Sequence, residues 1–465
     1  MNRSHETAEH RQPGLRSPVP VPVSDAPGRL PVLGHLVELR RRPLDFFQCL
    51  RSQGPVVRIR FGPKPAYVVN DPDLIRRVFV NDAHHYDKGV FWEKVREFVG
   101  DGLASVSSGE FHRQQRRLMQ PAFHRKQIAR YAEIMGACLA ERAESWRPGQ
   151  VVSMDDEMQE AALTLVARTF FSSRLGQEAS RALEESFPAV QDGIMKRTLA
   201  PLGLMEKLPT SANRRFNQAM QHIWGACRRA VDDYRAAGAD DVDLMSMLIH
   251  AHDPDTGESM SDDLIRDQVI TIALSGRDTT ANALAWALYQ LSRTPDVADR
   301  IAAEVKEVIG DRPAGLEDLM ALDYTGRVAR EVFRLYAFWL LIRRTVTDVT
   351  LGGVPIPANT QVLISPIAMH RDPSIYEDPM RLDPDRWLPG RAEEIPRNAY
   401  FAFGAGNRQC IGDRYAWTAV MSALVGIAPH WELRPVPGHE VTEVVKVSVS
   451  PSALPLQVVP RTVSG

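Results

Sequence analysis

The stretch FAFGAGNRQCIGDRYAW, residues 401–417, sets a single cysteine among glycines, aromatic residues and an arginine. Cys410 follows Arg408 by two residues, and residues 413–428 have the apolar spacing of a helix. A nearby cation or a helix N-terminus favours the thiolate, which is the form of cysteine that binds a metal. The glycines permit a tight turn and let backbone amides approach the sulfur. The stretch therefore predicts a metal-ligating thiolate at residue 410, against the commoner alternative of a buried structural cysteine.

The whole chain has the composition of an ordinary globular protein. Its 465 residues are 44% hydrophobic and 25% charged, and the formal net charge is −2. This charge balance does not support a nucleic-acid-binding surface, and no apolar run reaches the roughly 18–20 residues that span a bilayer. The polar N-terminus lacks the apolar core of a secretory signal. We therefore expect a cytoplasmic protein with no nucleic-acid or membrane partner.

The four cysteines, at positions 49, 138, 227 and 410, include no Cys-x-x-Cys pair of the kind that binds zinc. A disulfide framework is not expected in a large cytoplasmic chain. The first three lie in apolar helical patterns, which predicts small core residues at Cys49, Cys138 and Cys227.

Apolar and polar residues alternate near both ends of the chain and follow a helical spacing between them. This pattern predicts a mainly α-helical body with small β-sheets, forming a single domain over residues 30–465. A Pro-rich segment at residues 1–29 is predicted to be disordered. Strands are predicted within residues 54–70, 348–366 and 439–459.

The longest helix is predicted over residues 262–293. Ser261 can cap its first free amides, and Pro295 marks its C-terminal limit. Inside it, LSGRDTTAN (274–282) places polar residues and Gly276 in an otherwise apolar face. Two interpretations stay open: a local distortion beside a ligand, or a threonine hydroxyl that bonds back to the preceding turn with no further role.

The cysteine stretch resembles the haem-binding loop of the cytochrome P450 family, FxxGxRxCxG. The matching residues are Phe403, Gly406, Arg408, Cys410 and Gly412. Three more motifs similar to those of the family occur in the right order along the chain: SGRDTT (275–280), EVFR (331–334) and DPDRW (383–387).

The resemblance runs from about residue 30 to the end of the chain and implies the cytochrome P450 fold, with haem b between the long central helix and the cysteine loop. It implies that Cys410 is the axial ligand of the iron, because such a thiolate favours O–O bond cleavage with O2 as co-substrate. It also implies a buried structural network that holds the cysteine loop in register, formed by Glu331, Arg334 and Arg386.

Asp278 and Thr279 resemble the acid–alcohol pair on the distal side of the haem. The resemblance implies that Thr279 stabilises the activated oxygen and that Asp278 helps to deliver protons through water. A salt bridge between Asp278 and Arg277 is the plainer interpretation of that carboxylate, and the two roles are compatible. Ser275 stands where the family usually has alanine or glycine.

The haem propionates need cations or hydrogen-bond donors. His112 and Arg116 are four residues apart and therefore lie on one helical face, and alignment on Asp348 favours Arg343 over Arg344. The resemblance implies the following cofactor-binding residues: His112, Arg116, Arg343, Phe403, Gly404, Arg408, Cys410 and Gly412.

In the family, the stretch that corresponds to LYAFWLLIRR (335–344) passes over the haem and lines the substrate pocket. Its bulky apolar side chains predict a compact apolar substrate, although each aromatic taken singly is equally a core residue. The predicted pocket residues are Phe91, Trp92, Leu274, Ser275, Phe338, Trp339 and Leu340. The stretch is similar to that of bacterial terpene-oxidising members, including pentalenene-type oxidases, which implies a sesquiterpene-like substrate in secondary metabolism. Fatty acids, steroids and polyketides are the alternatives.

The remaining length holds no flavin or nicotinamide domain, so the resemblance implies electrons from a ferredoxin and an NAD(P)H-dependent ferredoxin reductase, and a monomeric enzyme. Basic side chains that could meet an acidic ferredoxin are Arg113, Arg117, Arg125 and Lys126.

The alternatives to a monooxygenase are a peroxide-driven or isomerising haem-thiolate enzyme and a non-enzymatic haem-thiolate sensor. The acid–alcohol pair disfavours both.

The acidic run DDLIRD, residues 262–267, is loosely similar to the magnesium-binding motif of terpene cyclases, in which clustered carboxylates hold Mg²⁺ against diphosphate. Asp262 and Asp263 are explained without a metal, because acidic residues at a helix N-terminus complement the helix dipole. We favour this second interpretation.

Overall fold

The computed structural model describes residues 23–171, 177–198, 208–238 and 243–461. Residues 1–22, most of the segment predicted to be disordered, lie outside these ranges. Ser24–Asp25, at the end of that segment, instead forms a strand that pairs in parallel with Val56–Phe61. The fold therefore begins before residue 30, which corrects the predicted boundary.

Helices make up the larger part of the described residues. Within those ranges they are α1 Leu36–Arg41, α2 Pro43–Leu50, α3 Pro72–Arg76, α4 Val90–Val99, α5 Glu110–Met119, α6 Arg125–Ser145, α7 Met154–Phe170, α8 Gln177–Thr198, α9 Ser211–Ala237, α10 Leu244–Ile249, α11 Asp262–Arg293, α12 Pro295–Val308, α13 Leu316–Ala321, α14 Asp323–Leu335, α15 Pro366–His370, α16 Arg391–Glu394 and α17 Asp413–Ile427.

The strands are short. They are β1 Ser24–Asp25, β2 Val56–Phe61, β3 Lys64–Val69, β4 Tyr86–Asp87, β5 Val151–Ser153, β6 Leu341–Thr345, β7 Val349–Leu351, β8 Val354–Ile356, β9 Gln361–Ile364, β10 Trp431–Pro435, β11 Glu443–Val445, β12 Val449–Pro451 and β13 Pro455–Pro460.

Among the described residues, the strands form one larger sheet and three small ones. The larger sheet has the order β1-β2-β3-β9-β6-β4, and the small sheets are β10-β13-β5, β11-β12 and β7-β8. The predicted hairpin is present as the antiparallel pair β2 and β3, with Val56 opposite Val69. Every predicted strand region contains strands, and the predicted class of a mainly α fold with small sheets is confirmed.

The long helix α11 begins and ends where the sequence predicts. The Ser261 side chain accepts a hydrogen bond from the Leu264 N–H at 3.3 Å, and α12 starts at Pro295. The distortion considered around Gly276 is not present, because residues 262–293 are α-helical throughout. An added Cβ at Gly276 would meet Val166 of α7 at 3.7 Å, so this glycine lies at a contact between helices.

The apolar core joins α11 to the elements around it. The helix packs against α7, α9 and α17 within one large buried cluster, which contains Cys138 and Cys227 as predicted. Cys49 is exposed, which corrects its assignment to the core. A second cluster under the larger sheet includes Phe79 and Phe401, whose ring centroids are 6.3 Å apart. The loop before α17 is thus attached to the sheet as well as to the helices.

Candidate functional site

Cys410 lies at the end of a tight loop that leads into α17. The N–H of Gly404 donates to the carbonyl of Phe401, and the N–H of Cys410 donates to the carbonyl of Phe403, each at 2.9 Å. Gly404 has a φ of +75° and Gly406 a φ of +68°, in the left-handed region that favours glycine. The loop leaves the side chain of Cys410 accessible.

The sulfur of Cys410 is accessible, yet enough protein surrounds it for burial to be the largest influence on its pKa. Burial raises the pKa of Cys410 to about 11, and a hydrogen bond from the Gly412 N–H and the charge of Arg116 both lower it. The cation that acts on the sulfur is thus Arg116 rather than the predicted Arg408. Coordination to a metal ion would deprotonate the thiol outright.

Glu331 and Arg334 form a fully buried bidentate ion pair. The two N–O distances are 2.7 and 2.9 Å, and Arg386 approaches the same carboxylate at 3.5 Å. Burial lowers the pKa of Arg386. The indole of Trp387 donates to Glu331 at 3.0 Å. The carboxylate is therefore compensated by several donors, as a buried charge must be.

His370 connects this ion-pair network to the cysteine loop. Its Nδ1 lies 3.2 Å from the carbonyl of Arg334, and its Nε2 accepts a hydrogen bond from the Phe401 N–H at 3.1 Å. Because Nε2 must accept, the proton sits on Nδ1 and is donated to Arg334. Burial lowers the pKa of His370 to about 3, so the ring is neutral. Sequence reasoning did not single out this residue, since its partners are 31 and 36 positions away.

A group of basic side chains, called here the basic cluster, lies on the elements around the cysteine loop: Lys88, His112, Arg116, Arg343 and Arg408. Burial lowers the pKa of His112 to about 3, of Arg408 to about 9 and of Arg343 to about 10. It also lowers the pKa of Lys88 and of Arg116. Mutual repulsion adds to burial, because the charge of Arg408 lowers the pKa of both His112 and Lys88. An anion among these groups would relieve both penalties.

Three other basic residues near the cluster are engaged in ion pairs. Arg113 pairs with Glu110, and Arg117 pairs with Asp253 at 3.0 Å. Arg113 and Arg117, two of the cations that could meet a ferredoxin, are thus also paired within the chain. Arg344 pairs with the carboxylates of Asp87 and Glu93 at 2.5 and 2.6 Å.

Thr279 and Asp278 face different surroundings on α11. Thr279 is exposed, and its hydroxyl donates to the carbonyl of Ser275 at 2.7 Å. Asp278 is buried, and its Oδ2 accepts a hydrogen bond from the Ser448 hydroxyl at 2.6 Å. Asn282 lies beside both groups, with its Nδ2 2.6 Å from Ser448 Oγ and 3.5 Å from Asp278 Oδ2. Ser448 was not identified from the sequence because it is 170 positions from Asp278.

Arg277, the cation considered as a partner for Asp278, lies over the ring of Phe187 at 3.8 Å. Burial lowers the pKa of Arg277, and the charge of Asp278 raises it. The two charges therefore interact electrostatically, while the hydroxyl of Ser448 makes the short contact with the carboxylate.

The segment from Gly100 to Leu103 connects α11 to the cysteine loop. The side chain of Gln268 accepts a hydrogen bond from the Leu103 N–H at 2.8 Å, and Arg408 donates to the Leu103 carbonyl at 3.4 Å. An added Cβ at Gly100 would overlap the carboxylate of Asp267. The helix and the loop thus both contact this segment at Leu103, one at its N–H and the other at its carbonyl.

The predicted pocket residues divide into two groups. Phe91 and Trp92 stand edge to face at 5.5 Å and are half-buried, as are Leu274 and Phe338, and Ser275 is exposed. Trp339 and Leu340 pack on a third cluster that contains Phe46 and Phe47. The indole of Trp339 lies 6.2 Å from Phe47 and donates to the Lys446 carbonyl at 3.1 Å.

The acidic run at the start of α11 is explained by ion pairs. Asp262 contacts Arg235 at 2.7 Å, and Asp263 contacts Arg266 at 2.9 Å. Within the described ranges, no three His, Cys, Asp or Glu side chains come together as a metal site would require.

Residues 25–455 match the family model described as cytochrome P450. The chain belongs to the cytochrome P450 family. It is 40% identical over 437 residues to a cyclooctat-9-en-7-ol 5-monooxygenase of Streptomyces melanosporofaciens, covering 94% of this chain and 95% of that protein. It is 37% identical over 439 residues to a pentalenene oxygenase of Streptomyces avermitilis, covering 94% of this chain and 97% of that protein.

The fold agrees with this membership. The crystal structure of the cytochrome P450DA haem domain superposes with a TM-score of 0.85 at 25% identity, covering 96% of this chain and 99% of that one. None of the helices in the described ranges is both long and apolar enough to cross a membrane.

The basic cluster of this P450 fits the two carboxylates of a haem. The Nδ1 of His112 and the Nε of Arg408 are buried and have no hydrogen-bond partner within the described structure. Arg343 is buried and stacks over Phe79 at 4.7 Å. Lys88 lies over the ring of Trp92 at 3.9 Å and donates to the carbonyl of Ala104. Sequence reasoning missed Lys88 because only its burial and its cationic neighbours distinguish it from a surface lysine.

Proposed function

We propose that this P450 is a haem-thiolate monooxygenase that hydroxylates a terpene. The reaction would take one O2, two electrons and two protons, place one oxygen atom in a C–H bond of the substrate and release the other as water. The observation that carries the proposal is the 37–40% identity, over 94% of the chain, to proteins named for the oxidation of terpene skeletons. The accessible Cys410 at the end of its glycine-rich loop supports it.

Residues of this chain would hold haem b from two sides. Cys410 would bind the iron, with the Gly412 N–H and the charge of Arg116 favouring its thiolate. The basic cluster would bind the propionates, whose negative charge would offset the burial and the mutual repulsion of its cations. When bound, a haem with a thiolate ligand supplies the cleavage of the O–O bond.

Thr279 and Asp278 would supply the protons. The Thr279 hydroxyl donates to the carbonyl of Ser275, and a rotation about one side-chain bond would let it donate to a group bound beside this exposed part of α11 instead. The Asp278 carboxylate is one residue earlier on α11 and would pass protons from water. Both roles remain proposals that mutation can test.

The substrate would lie against the half-buried apolar side chains of Phe91, Trp92, Leu274 and Phe338. Such a wall suits a compact hydrocarbon, since it offers area and few polar anchors. Ser275 is the polar exception and could bind a hydroxyl group or a water molecule. Trp339 and Leu340, which pack on the core, would support the wall from behind rather than line it.

Electrons would come from a separate ferredoxin and its reductase, and we propose a monomeric enzyme that works in the cytoplasm. Arg125 pairs with Glu317 at 2.6 Å, and the two side chains remain 61% and 72% exposed. Exposed pairs of this kind contribute little stability, so an acidic ferredoxin could replace Glu317 as the partner of Arg125. Lys126 is exposed beside it.

The test is turnover of the purified holoenzyme with a ferredoxin, a ferredoxin reductase and NADPH in the presence of isotopically labelled O2. A panel of sesquiterpenes and diterpenes is compared with fatty acids, steroids and polyketides, after a screen for substrates that shift the spin state of the haem. We expect an alcohol of a terpene that carries one labelled oxygen atom. Turnover confined to the other substrate classes, or product only with hydrogen peroxide, would refute the proposal.

A further inference from the structure

The side chain of Asp278 is hydrogen-bonded by a residue 170 positions further along the chain. Its Oδ2 accepts a hydrogen bond from the Ser448 hydroxyl at 2.6 Å, and Asn282, one turn further along α11, lies 3.5 Å from the same oxygen. Ser448 follows β11 and precedes β12, in the connection of the C-terminal hairpin. Both Asp278 and Ser448 are buried, at 9% and 7% exposure, so water competes weakly for these bonds.

The direction of each hydrogen bond in this group follows from the donors available. Asn282 Nδ2 can only donate, and it lies 2.6 Å from Ser448 Oγ. Because Ser448 Oγ accepts there, its single hydrogen is free to be donated to Asp278. The result is a directed chain of hydrogen bonds from Asn282 through Ser448 to the carboxylate of Asp278.

The hairpin that carries Ser448 is fixed on two sides. The indole of Trp286, on α11, donates to the carbonyl of Val449 at 2.8 Å, and the indole of Trp339 donates to the carbonyl of Lys446 at 3.1 Å. Trp286 also stacks on Tyr336 at 4.0 Å with the rings 4° from parallel. The hydroxyl is therefore presented to Asp278 from a rigid support, which is what positioning of a reactive group requires.

We infer that Ser448 is a positioning residue for proton delivery, holding the Asp278 carboxylate in the orientation from which it takes up and releases protons. The inference rests on the proposed monooxygenase function and on Asp278 as its acid. Loss of the hydroxyl would remove a hydrogen bond to a charged group and leave that oxygen with only the longer contact from Asn282, at 3.5 Å. The carboxylate would then occupy several orientations, and less product would be formed for each NADPH consumed.

The inference is tested with Ser448→Ala, the conservative Ser448→Thr and the control Ser450→Ala. Ser450 is on the same hairpin, and its hydroxyl donates to the carbonyl of Val444 at 3.3 Å, away from Asp278. Each holoenzyme is assayed with ferredoxin, reductase and NADPH, and separately with hydrogen peroxide, which brings its own protons and electrons. The readouts are product formed per NADPH, the solvent deuterium isotope effect, and a crystal structure of the Ser448→Ala holoenzyme.

We expect Ser448→Ala to form about tenfold less product per NADPH, with a larger solvent isotope effect, because a hydrogen bond to a charged group is lost. Peroxide-driven turnover should stay near that of the wild type, Ser448→Thr should restore coupling, and the crystal structure should show Asp278 turned from its position. Asn282→Leu, which removes the donor that orients Ser448, should act in the same direction.

Unchanged coupling and isotope effect in Ser448→Ala would overturn the inference while leaving the proposed function intact. An equal loss in both assays, with Asp278 unmoved in the crystal structure, would also overturn it, because a merely structural role predicts that pattern. A wild-type holoenzyme that forms no product in either assay would overturn the proposed function and this inference together.

Discussion

Gly406 lies where the cysteine loop passes closest to the larger sheet. An added Cβ there would overlap the carbonyl oxygen of Phe79 and would be forced into a φ of +68°. Phe79 in turn contacts Phe401 and lies under Arg343 of the basic cluster. The glycine is therefore required by a backbone contact between two parts of the proposed haem site.

Substitution of Gly406 by alanine should reduce the free energy of unfolding by about 2–4 kcal/mol, from overlap and from left-handed backbone strain. Haem content should fall with it. The matched control is Gly426→Ala in α17, where an added Cβ meets no atom within 4 Å. Thermal unfolding and the haem-to-protein absorbance ratio measure both effects, and a Gly406→Ala protein with wild-type stability would contradict the close contact.

Substitution of Thr279 by alanine should uncouple electron consumption from product formation, because the hydroxyl that is proposed to supply a proton is lost. We expect product per NADPH to fall by about a hundredfold, the lower end of the effect of a lost proton donor. Thr279→Ser keeps the hydroxyl and should retain most of the coupling. If NADPH consumption and product formation stay matched in Thr279→Ala, the side chain has no part in the reaction.

At the residue scale, local motifs made Cys410 and its glycines predictable, since the loop needs particular residues at fixed offsets. Lys88, His370 and Ser448 could not be found in the same way. Each acquires its role from partners that only the folded chain brings near, as Ser448 does with Asp278. The sequence also assigned the cation beside the sulfur to Arg408, which is near in sequence, whereas the structure gives that effect to Arg116.

The helix α14 is linked to the cysteine loop through one side chain of α15. His370, at the end of α15, bonds to the carbonyl of Arg334 in α14 and to the N–H of Phe401 before the loop. The ion pair of Glu331 and Arg334 thus reaches the loop through a neutral imidazole. Helix boundaries and strand regions were largely predictable from apolar spacing and caps, as for α11 with Ser261 and Pro295, but such bridges between elements were not.

The pH dependence of stability should carry the signature of His370. Its pKa is lowered from 6.5 to about 3 in the folded protein, so the unfolded chain binds a proton first as the pH falls. The contribution of the neutral ring to stability is therefore complete above pH 6.5 and is lost progressively as the pH falls from there towards 3. Gln at position 370 does not titrate and can make both hydrogen bonds. As the pH falls, the free energy of unfolding of His370→Gln should therefore decrease less steeply than that of the wild type, by up to about 1.4 kcal/mol per pH unit.

Chemical denaturation at several pH values between about 4 and 7 measures these slopes. His370→Phe, which makes neither hydrogen bond, should be less stable than both proteins at neutral pH. Identical pH slopes for the wild type and His370→Gln would show that the ring is protonated in the folded state and would contradict its assigned role.

At the scale of the whole molecule, the charged surface around α5 and α6 is more balanced than the sequence suggests. Arg113 and Arg117 are paired within the chain, and Arg125 is paired with Glu317. The partners of Arg117 and Arg125 could not be predicted from the sequence, because Asp253 and Glu317 come from distant parts of the chain. A ferredoxin would have to compete for these cations, and its binding should be sensitive to salt.

The double charge reversal Arg125→Glu with Lys126→Glu should slow electron transfer from ferredoxin severalfold and leave substrate binding unchanged. The matched control is Arg434→Glu on β10, another exposed arginine paired with a glutamate. Stopped-flow reduction measures the first effect and the spin-state titration the second. Equal changes in both measurements, or the same slowing in the control, would argue against docking at this surface.

The proposed monooxygenase chemistry depends on coordination of iron by the sulfur of Cys410. The most direct measurement is the absorption spectrum of the reduced protein under carbon monoxide, compared between the wild type and Cys410→His. The wild type should show the red-shifted Soret band of thiolate ligation, and the variant should bind haem without that band. A folded, haem-containing wild type that lacks the band, or a Cys410→His protein that retains it, would contradict the assignment.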